Sequence, residues 1–489
     1  MNRAVALLVL YLFCATSLSG QDRQAQDDTA KPAEGFTLKT AETITFTTDE
    51  VTWMQVDVSP DGQTILFDLL GDLYTLPIGG GEAKRIVGGL AFESQPTWSP
   101  DARTIAFLSD RTGVENLWIA DADGSNPRAV SKDGRTSDRP QIMVSPAWTP
   151  DGNYIVVSKS RPPEPGTFSL FMYHRDGGTG VRIGPAPPPQ PGPDSQGPPP
   201  APPTNKMGAV VSPDGRFIYY TQRTGTFTYN ARFPLWQVYR HDTETGDVMQ
   251  ITNAQGSAIR PLLTPDGKSM VFGTRHKSQT GLRVRDLETG AERWLAYPVT
   301  RDDQESRASR DTLPRYDFTP DGKSLIVPVN GKLQRIDFAT GQATPIPFTA
   351  KVEAEIAPRV YTPVRVDDGA SVRARLVRWP TLSPDGSTLV FSAMNRLYIQ
   401  SYPNGSPRLL TSSSASAASR EGEFMPSWSP DGRSIVFVTW TTTGGQIKRV
   451  AATGGQPETL TRSEGYYLDP SYSPDGSRIV FMAGAASDH

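Results

Sequence analysis

One four-residue turn, Ser/Thr-Pro-Asp-Gly, recurs nine times along this 489-residue chain. It stands at Ser59–Gly62, Ser99–Ala102, Thr149–Gly152, Ser212–Gly215, Thr264–Gly267, Thr319–Gly322, Ser383–Gly386, Ser429–Gly432 and Ser473–Gly476. The spacings run from 40 to 64 residues, the period of a solenoid or a propeller. Each residue of the turn has a mechanical reason. Proline presets the second position, aspartate hydrogen-bonds nearby backbone amides from the third, and glycine takes the left-handed fourth. Ala102 alone departs from the pattern.

The second repeat shows what surrounds the turn. Gln95-Pro96-Thr97-Trp98 enters it and Thr104-Ile105-Ala106-Phe107-Leu108 leaves it with strand alternation. A second turn, Asp110 to Gly113, leads to Leu117-Trp118-Ile119-Ala120, and a third, Asp121 to Gly124, to Arg128-Ala129-Val130. Four antiparallel strands joined by three tight turns make one propeller blade. An apolar residue precedes every turn: Val58, Trp98, Trp148, Val211, Leu263, Phe318, Leu382, Trp428 and Tyr472. A four-stranded sheet cannot bury both faces alone, so these residues are expected to pack blade against blade. The fold class is therefore all-β, a propeller of four-stranded antiparallel blades.

Organisation follows the turns. Residues 1–19 read as a secretory signal peptide: Arg3, an apolar run from Ala4 to Phe13, then small residues at Ser17 and Ser19. The one cysteine, Cys14, lies inside it, so the exported chain is expected to carry no disulfide. The expected location is periplasmic or secreted, with no membrane span after signal cleavage. Residues 20–43 read as a disordered leader, and Thr43 to Thr47 alternates as a strand that could clasp the outside of a ring. Six turns precede a stretch without blade rhythm, Ala350 to Arg378, and three follow it. This places a first propeller over 44–350, with a Pro-rich insertion at 184–203, and the start of a second over 351–489. Val360-Tyr361 and Arg373 to Leu376 look strand-like within the break. One ring of eight or nine blades is the alternative. The last blade has two strands before His489, which reads as a sequence cut from a longer polypeptide. Arg301 to Asp311 and Ser412 to Glu423 read as solvated connections.

Chemistry is sparse. With 49 basic and 52 acidic residues the net charge is −3, which argues against a nucleic-acid partner. No G-x-S-x-G, H-x-H, H-E-x-x-H or C-x-x-C motif is present, and the four histidines are isolated. Neither catalytic nor metal-ligating residues, nor any cofactor, are assigned to this chain. One constellation could bind a ligand. Arg111, Arg161, Arg223 and Arg275, the last followed by His276, recur at equivalent positions past the turns of four successive blades. They would share one face, where guanidinium groups can recognise carboxylates or phosphates. The alternative is that each arginine ties down its own second turn or pairs with an acid of an adjacent blade, as Asp110 suggests. A protein or peptide ligand on the propeller face is the expected partner.

The repeat x-P-x-W-S-P-D-G-x-x-I-x-F, clearest over Phe92 to Val130 and Met425 to Thr461, resembles that of the TolB propeller family. Longer phrases add to it: Trp53 to Gly62 with Phe67 to Tyr74, Gln222 to Asn230, and Gly281 to Asp286. These resemble the N-terminal region of large exported proteins in which TolB-like propellers precede a metal-dependent amidohydrolase domain. That resemblance implies a divalent metal only in a C-terminal domain beyond these residues, and a propeller that gates or docks substrate. A stand-alone envelope binding protein is the second reading, and the propeller of a serine peptidase of the prolyl oligopeptidase or tricorn type the third.

Overall fold

The computed structural model describes residues 39–132, 142–160, 167–184, 202, 204–225, 232–305, 310–359, 373–412 and 421–484. Every regular element among them is a β-strand. The strands assemble in chain order into eight sheets built on four antiparallel strands, followed by one of two. Sheet 1 is built from Val56–Val58, Thr64–Leu69, Asp72–Pro77 and Gly81–Val87. Sheets 2 to 6 open at Glu93, Ile142, Thr204, Ile259 and Asp317, and sheets 7 and 8 at Arg378 and Gly422. Sheet 9 pairs Tyr466–Tyr472 with Ile479–Gly484. All-β architecture and four-stranded blades are as the sequence led us to expect.

The repeated turn behaves as its residues dictate. In the first, the Gly62 amide donates to the Ser59 carbonyl, and Gly62 takes a φ of 71°. Asp61 Oδ1 accepts from Ser59 Oγ and from the Gln63 amide, while Ser59 Oγ accepts from the Thr64 amide. All nine turn aspartates are held below the usual carboxylate range, first by the neighbouring Ser or Thr hydroxyl and then by backbone amides. No ligand is needed to explain the repeated Asp.

Contacts between turns give the order of the sheets. A Cβ built on Gly152 would meet Pro100 of the preceding turn, as Gly267 would meet Pro213, Gly322 Pro265, Gly432 Pro384 and Gly476 Pro430. Gly62 of the first turn faces Pro320 of the sixth, at 3.1 Å, whereas Gly386 of the seventh has nothing within 4 Å. A second contact repeats this pattern one layer inward. Asp57 of sheet 1 accepts from the Trp98 amide of sheet 2, and the equivalent Asp317 of sheet 6 accepts from the Val58 amide of sheet 1. One apolar cluster joins Val56, Phe67 and Leu76 of sheet 1 to Ile326 and Leu333 of sheet 6. The sixth sheet thus packs on the first.

Eight of the nine apolar residues before the turns are buried or half-buried, and Leu382 is the exception. Trp148 Nε1 donates to the Thr97 carbonyl of the preceding sheet, and Trp428 Nε1 to that of Thr381. Leu382, which heads sheet 7, is 44 % exposed.

After sheet 6 the chain forms Phe348–Ile356, which pairs parallel with Gly81–Val87 on the outer edge of sheet 1. Glu42–Thr48 pairs antiparallel outside that strand, so the N-terminal strand does clasp the outside, through an intermediary. Phe348–Ile356 straddles residue 350, so the first group of sheets extends to Ile356. Arg373 to Leu376 is not a strand, because Arg378–Leu382 takes the inner edge of sheet 7. Val360-Tyr361 lies outside the described residues, as do residues 1–38.

Candidate binding site

A local irregularity aims the first strand of each of sheets 2 to 5. In sheets 2, 3 and 5 the register slips by a β-bulge whose residue has a left-handed backbone: Gln95, Ser145 and Arg260. Gly208 does the same in sheet 4. Bulges of this kind re-aim side chains, and here the polar groups turn toward one segment, residues 310–316.

That segment contacts three of the first six sheets. Asp311 accepts from Ser145 Oγ of sheet 3 and from Arg260 Nη1 of sheet 5. Arg315 pairs with Asp57 of sheet 1 at 2.6 Å and donates to the Pro146 carbonyl of sheet 3 at 3.2 Å. The Arg310 carbonyl accepts from Trp53 Nε1 and Gln55 Nε2, and its guanidinium lies over the Phe92 ring at 5.0 Å. The Tyr316 hydroxyl donates to the Arg260 carbonyl. One short segment thus bonds to residues of sheets 1, 3 and 5. Asp311 and Thr312 are fully buried and Leu313 nearly so. The expectation that Arg301 to Asp311 is a solvated connection is therefore wrong: Asp302, Gln304 and Asp311 are buried. Buried charge is tolerated only where it is paired, and distant arginines supply the pairing.

Other carboxylates sit under this segment. Burial pushes Asp68 up to about 6 against the pull of the Gln95 and Gln55 amides. Burial likewise raises Glu115 to about 8, although it accepts from the Met143 amide. Asp317 is pushed well above the usual range by burial and by Asp57, with Arg315 opposing. Each accepts backbone amides between or within blades, which is a fastening role.

The arginine constellation is resolved residue by residue. Arg111 pairs with Glu93 at the start of its own sheet and lies over Trp118 at 5.0 Å. Arg223 is 4 % exposed and donates to the Gln304 carbonyl at 3.5 Å. Arg275 forks onto Asp302 and Glu305. Burial opposes its charge, but the two carboxylates hold the guanidinium above its ordinary value. Segment 302–305 thus brings Arg223 and Arg275 together, while Arg111 stands apart over sheet 2. Arg161 lies outside the described residues. His276 packs with Trp294 and Tyr297, ring centroids 5.8 Å away in each case. In three of these arginines the positive charge already meets a partner within the fold.

Among the described residues no three of His, Cys, Asp or Glu stand together to hold a metal ion, and no helix is long and apolar enough to cross a membrane. No step through a metal is derived for this chain.

Comparison with known proteins places the fold. The model of the TolB β-propeller domain matches residues 37–178 and 370–489, more than half of the chain. The chain is 40 % identical over 68 residues to the uncharacterized peptidase YuxL of Bacillus subtilis, covering 14 % of this chain and 9 % of that one. It is 28 % identical over 99 residues to tricorn protease homolog 1 of Streptomyces coelicolor, covering 20 % of this chain and 9 % of that one. Among solved structures, a TolB from Agrobacterium tumefaciens, described as putative, aligns with a TM-score of 0.40 at 19 % identity. That alignment covers 57 % of this chain and 87 % of the other. The stretches matched in the curated relatives span between 9 % and 26 % of their length in the first two. With its repeats matched on both sides of the break, the chain belongs to the family of TolB β-propeller domains.

Proposed function

We propose that this chain is the non-catalytic propeller region of an exported, metal-dependent amidohydrolase, where it docks or admits substrate. We further infer that sheets 1 to 6 form one closed ring, and that sheets 7 to 9 begin a second. The observation that carries the binding role lies in segment 310–316. Residues 311–313 are buried against sheets 3 and 5, so in a closed ring this segment would fill the centre and leave the outer faces and turns for contact with a ligand. The amidohydrolase assignment rests on the resemblance of Trp53 to Tyr74, Gln222 to Asn230 and Gly281 to Asp286, and export on residues 1–19. A second reading, the propeller of a serine peptidase, is favoured by the names of two matched relatives, a peptidase and a tricorn protease homolog. A stand-alone envelope binding protein is the third.

The coding sequence beyond His489 separates them. An H-x-H followed by spaced His and Asp supports the amidohydrolase, a G-x-S-x-G the peptidase, and an immediate stop codon the binding protein. For the first outcome, amide hydrolysis by the full-length protein should vanish with a chelator and return with a divalent metal. N-terminal sequencing of the exported protein should begin near residue 20; retention of residues 1–19 would remove the export claim.

A further inference from the structure

The family's repeat explains the sheets but not an open cleft of about 460 Å³ on the inner side of sheets 7 and 8. Its wall carries Arg373, Arg375 and Arg378 on the run that enters sheet 7, with Met394 and Asn395 on a hairpin and Phe424 on sheet 8. Among the described residues no Asp or Glu lines it. The three arginines are exposed, and none has an acidic partner within 4.0 Å among the described residues. Glu423, the acid next to Phe424, is already taken by Arg396, the Leu397 amide and Thr411.

This is the reverse of the first six sheets. There, Arg111, Arg260, Arg275 and Arg315 each meet a carboxylate of the same chain. In a chain whose net charge is −3, three guanidinium groups around one cleft, without an acidic partner among the described residues, are a local concentration of positive charge. Low-dielectric walls focus such a field. The walls are also shaped at a conformational cost. Met394 and Asn395 form a two-residue hairpin with φ of 51° and 60°, where sheets 1 and 6 place Leu70-Gly71 and Asn330-Gly331. Trp379 lies under Arg378. Non-glycine residues held left-handed cluster at ligand sites. Met394 is 60 % exposed, an adaptable apolar surface beside the charge.

We propose that this cleft binds an oxyanion carried on an apolar body, as in a peptide ending in an apolar residue with a free α-carboxylate. Arg373, Arg375 and Arg378 would hold the oxyanion, bidentately where the fork geometry allows. Met394 and Phe424 would meet the apolar part. The inference does not depend on the amidohydrolase assignment, since it uses only residues of sheets 7 and 8.

The probes are a fluorescent pentapeptide ending in Leu, its C-terminal amide, and inorganic phosphate as competitor, with the full chain and fluorescence polarisation as readout. Binding of the free acid should be at least about tenfold tighter than that of the amide, because one charge-assisted bidentate contact is lost. It should weaken about tenfold or more in Arg375→Glu and in Arg378→Glu, and fall steeply with salt. Arg373→Lys should lose less than Arg373→Glu. Phosphate that displaces the peptide at equal concentration would show that the oxyanion alone is the ligand and would overturn the apolar part. Equal binding of acid and amide, or unchanged binding in both Glu variants with the fold intact by circular dichroism, would overturn the site. Because these side chains are exposed, the variants should fold. A failure to bind here would leave the amidohydrolase reading standing, and loss of that reading would leave this site untouched.

Discussion

Replacing Asp311 by Ala should destabilise the first group of sheets more than any other single exposed or loop change. Asp311 has no solvent exposure, and its partner Arg260 has a side chain only 9 % exposed. The carboxylate also accepts from Ser145 Oγ and the Thr312 amide. Its removal leaves a buried guanidinium without its counter-charge and two donors without an acceptor. Breaking a buried pair in this way costs about 3–5 kcal/mol. In a domain of this size that corresponds to a fall in melting temperature of roughly 5–10 °C. Asp311→Asn keeps an acceptor but not the charge, and should lie close to Asp311→Ala. Arg260→Met combined with Asp311→Asn removes both charges and should recover a large part of the loss, giving a coupling of about 1–3 kcal/mol in the double-mutant cycle. With Arg260→Met alone completing the cycle, thermal and urea unfolding followed by tryptophan fluorescence read all five proteins. An Asp311→Ala protein within about 1 kcal/mol of the parent, or strictly additive mutations, would refute the idea that 310–316 is a packed element.

Three further outcomes follow from single positions. Ala102 sits left-handed with φ of 57°, so Ala102→Gly should stabilise by about 0.5–1 kcal/mol, and a lowered melting temperature would count against the turn. Gly62→Ala should cost more than Gly215→Ala, since both are left-handed but only the first faces a proline, at 3.1 Å; equal losses would deny the contact between the first and sixth turns. Asp317 is held protonated by burial and by Asp57, so its raised folded pKa gives stability at low pH that is lost as pH rises above the ordinary carboxylate range. Asp317→Asn should therefore match the parent near pH 3 and exceed it by a margin that grows from about pH 4 to about pH 8, judged by urea midpoints; a variant weaker throughout would show that the charged form is the one the fold needs.

Much of the architecture was legible because it is local. Each Ser/Thr-Pro-Asp-Gly turn contains its own hydrogen bonds, and the strands around it alternate by residue type, so blade form could be read from short windows. The clasping strand at Thr43 to Thr47 was visible for the same reason, but its partner at Phe348–Ile356 was not, since parallel pairing with Gly81–Val87 joins positions far apart in the chain. The axial segment was misread because Asp302, Gln304 and Asp311 have the composition of a solvated loop. The burial of Asp311 depends on Arg260 and that of Asp302 on Arg275, which no periodicity connects to them. One signal was present and overlooked. A residue preceding proline enters sheets 2, 3, 5, 7, 8 and 9 at Gln95, Ser145, Arg260, Trp379, Met425 and Asp469, and every one of them is left-handed. The arginine constellation was a correct recurrence of residue type, but its partners Glu93, Asp302 and Glu305 decide what those charges do. Arg223 and Arg275 are too buried for charge reversal to report on a ligand; it would report on folding instead.

The most direct test of the account is hydrogen exchange along residues 310–318 in the folded chain. A filled axis predicts that these amides, together with those of Val56–Val58, exchange as slowly as the central strands, by about a thousandfold or more relative to free peptide. Exchange of 310–318 at the rate of a solvated loop, with Val56–Val58 still protected, would contradict it.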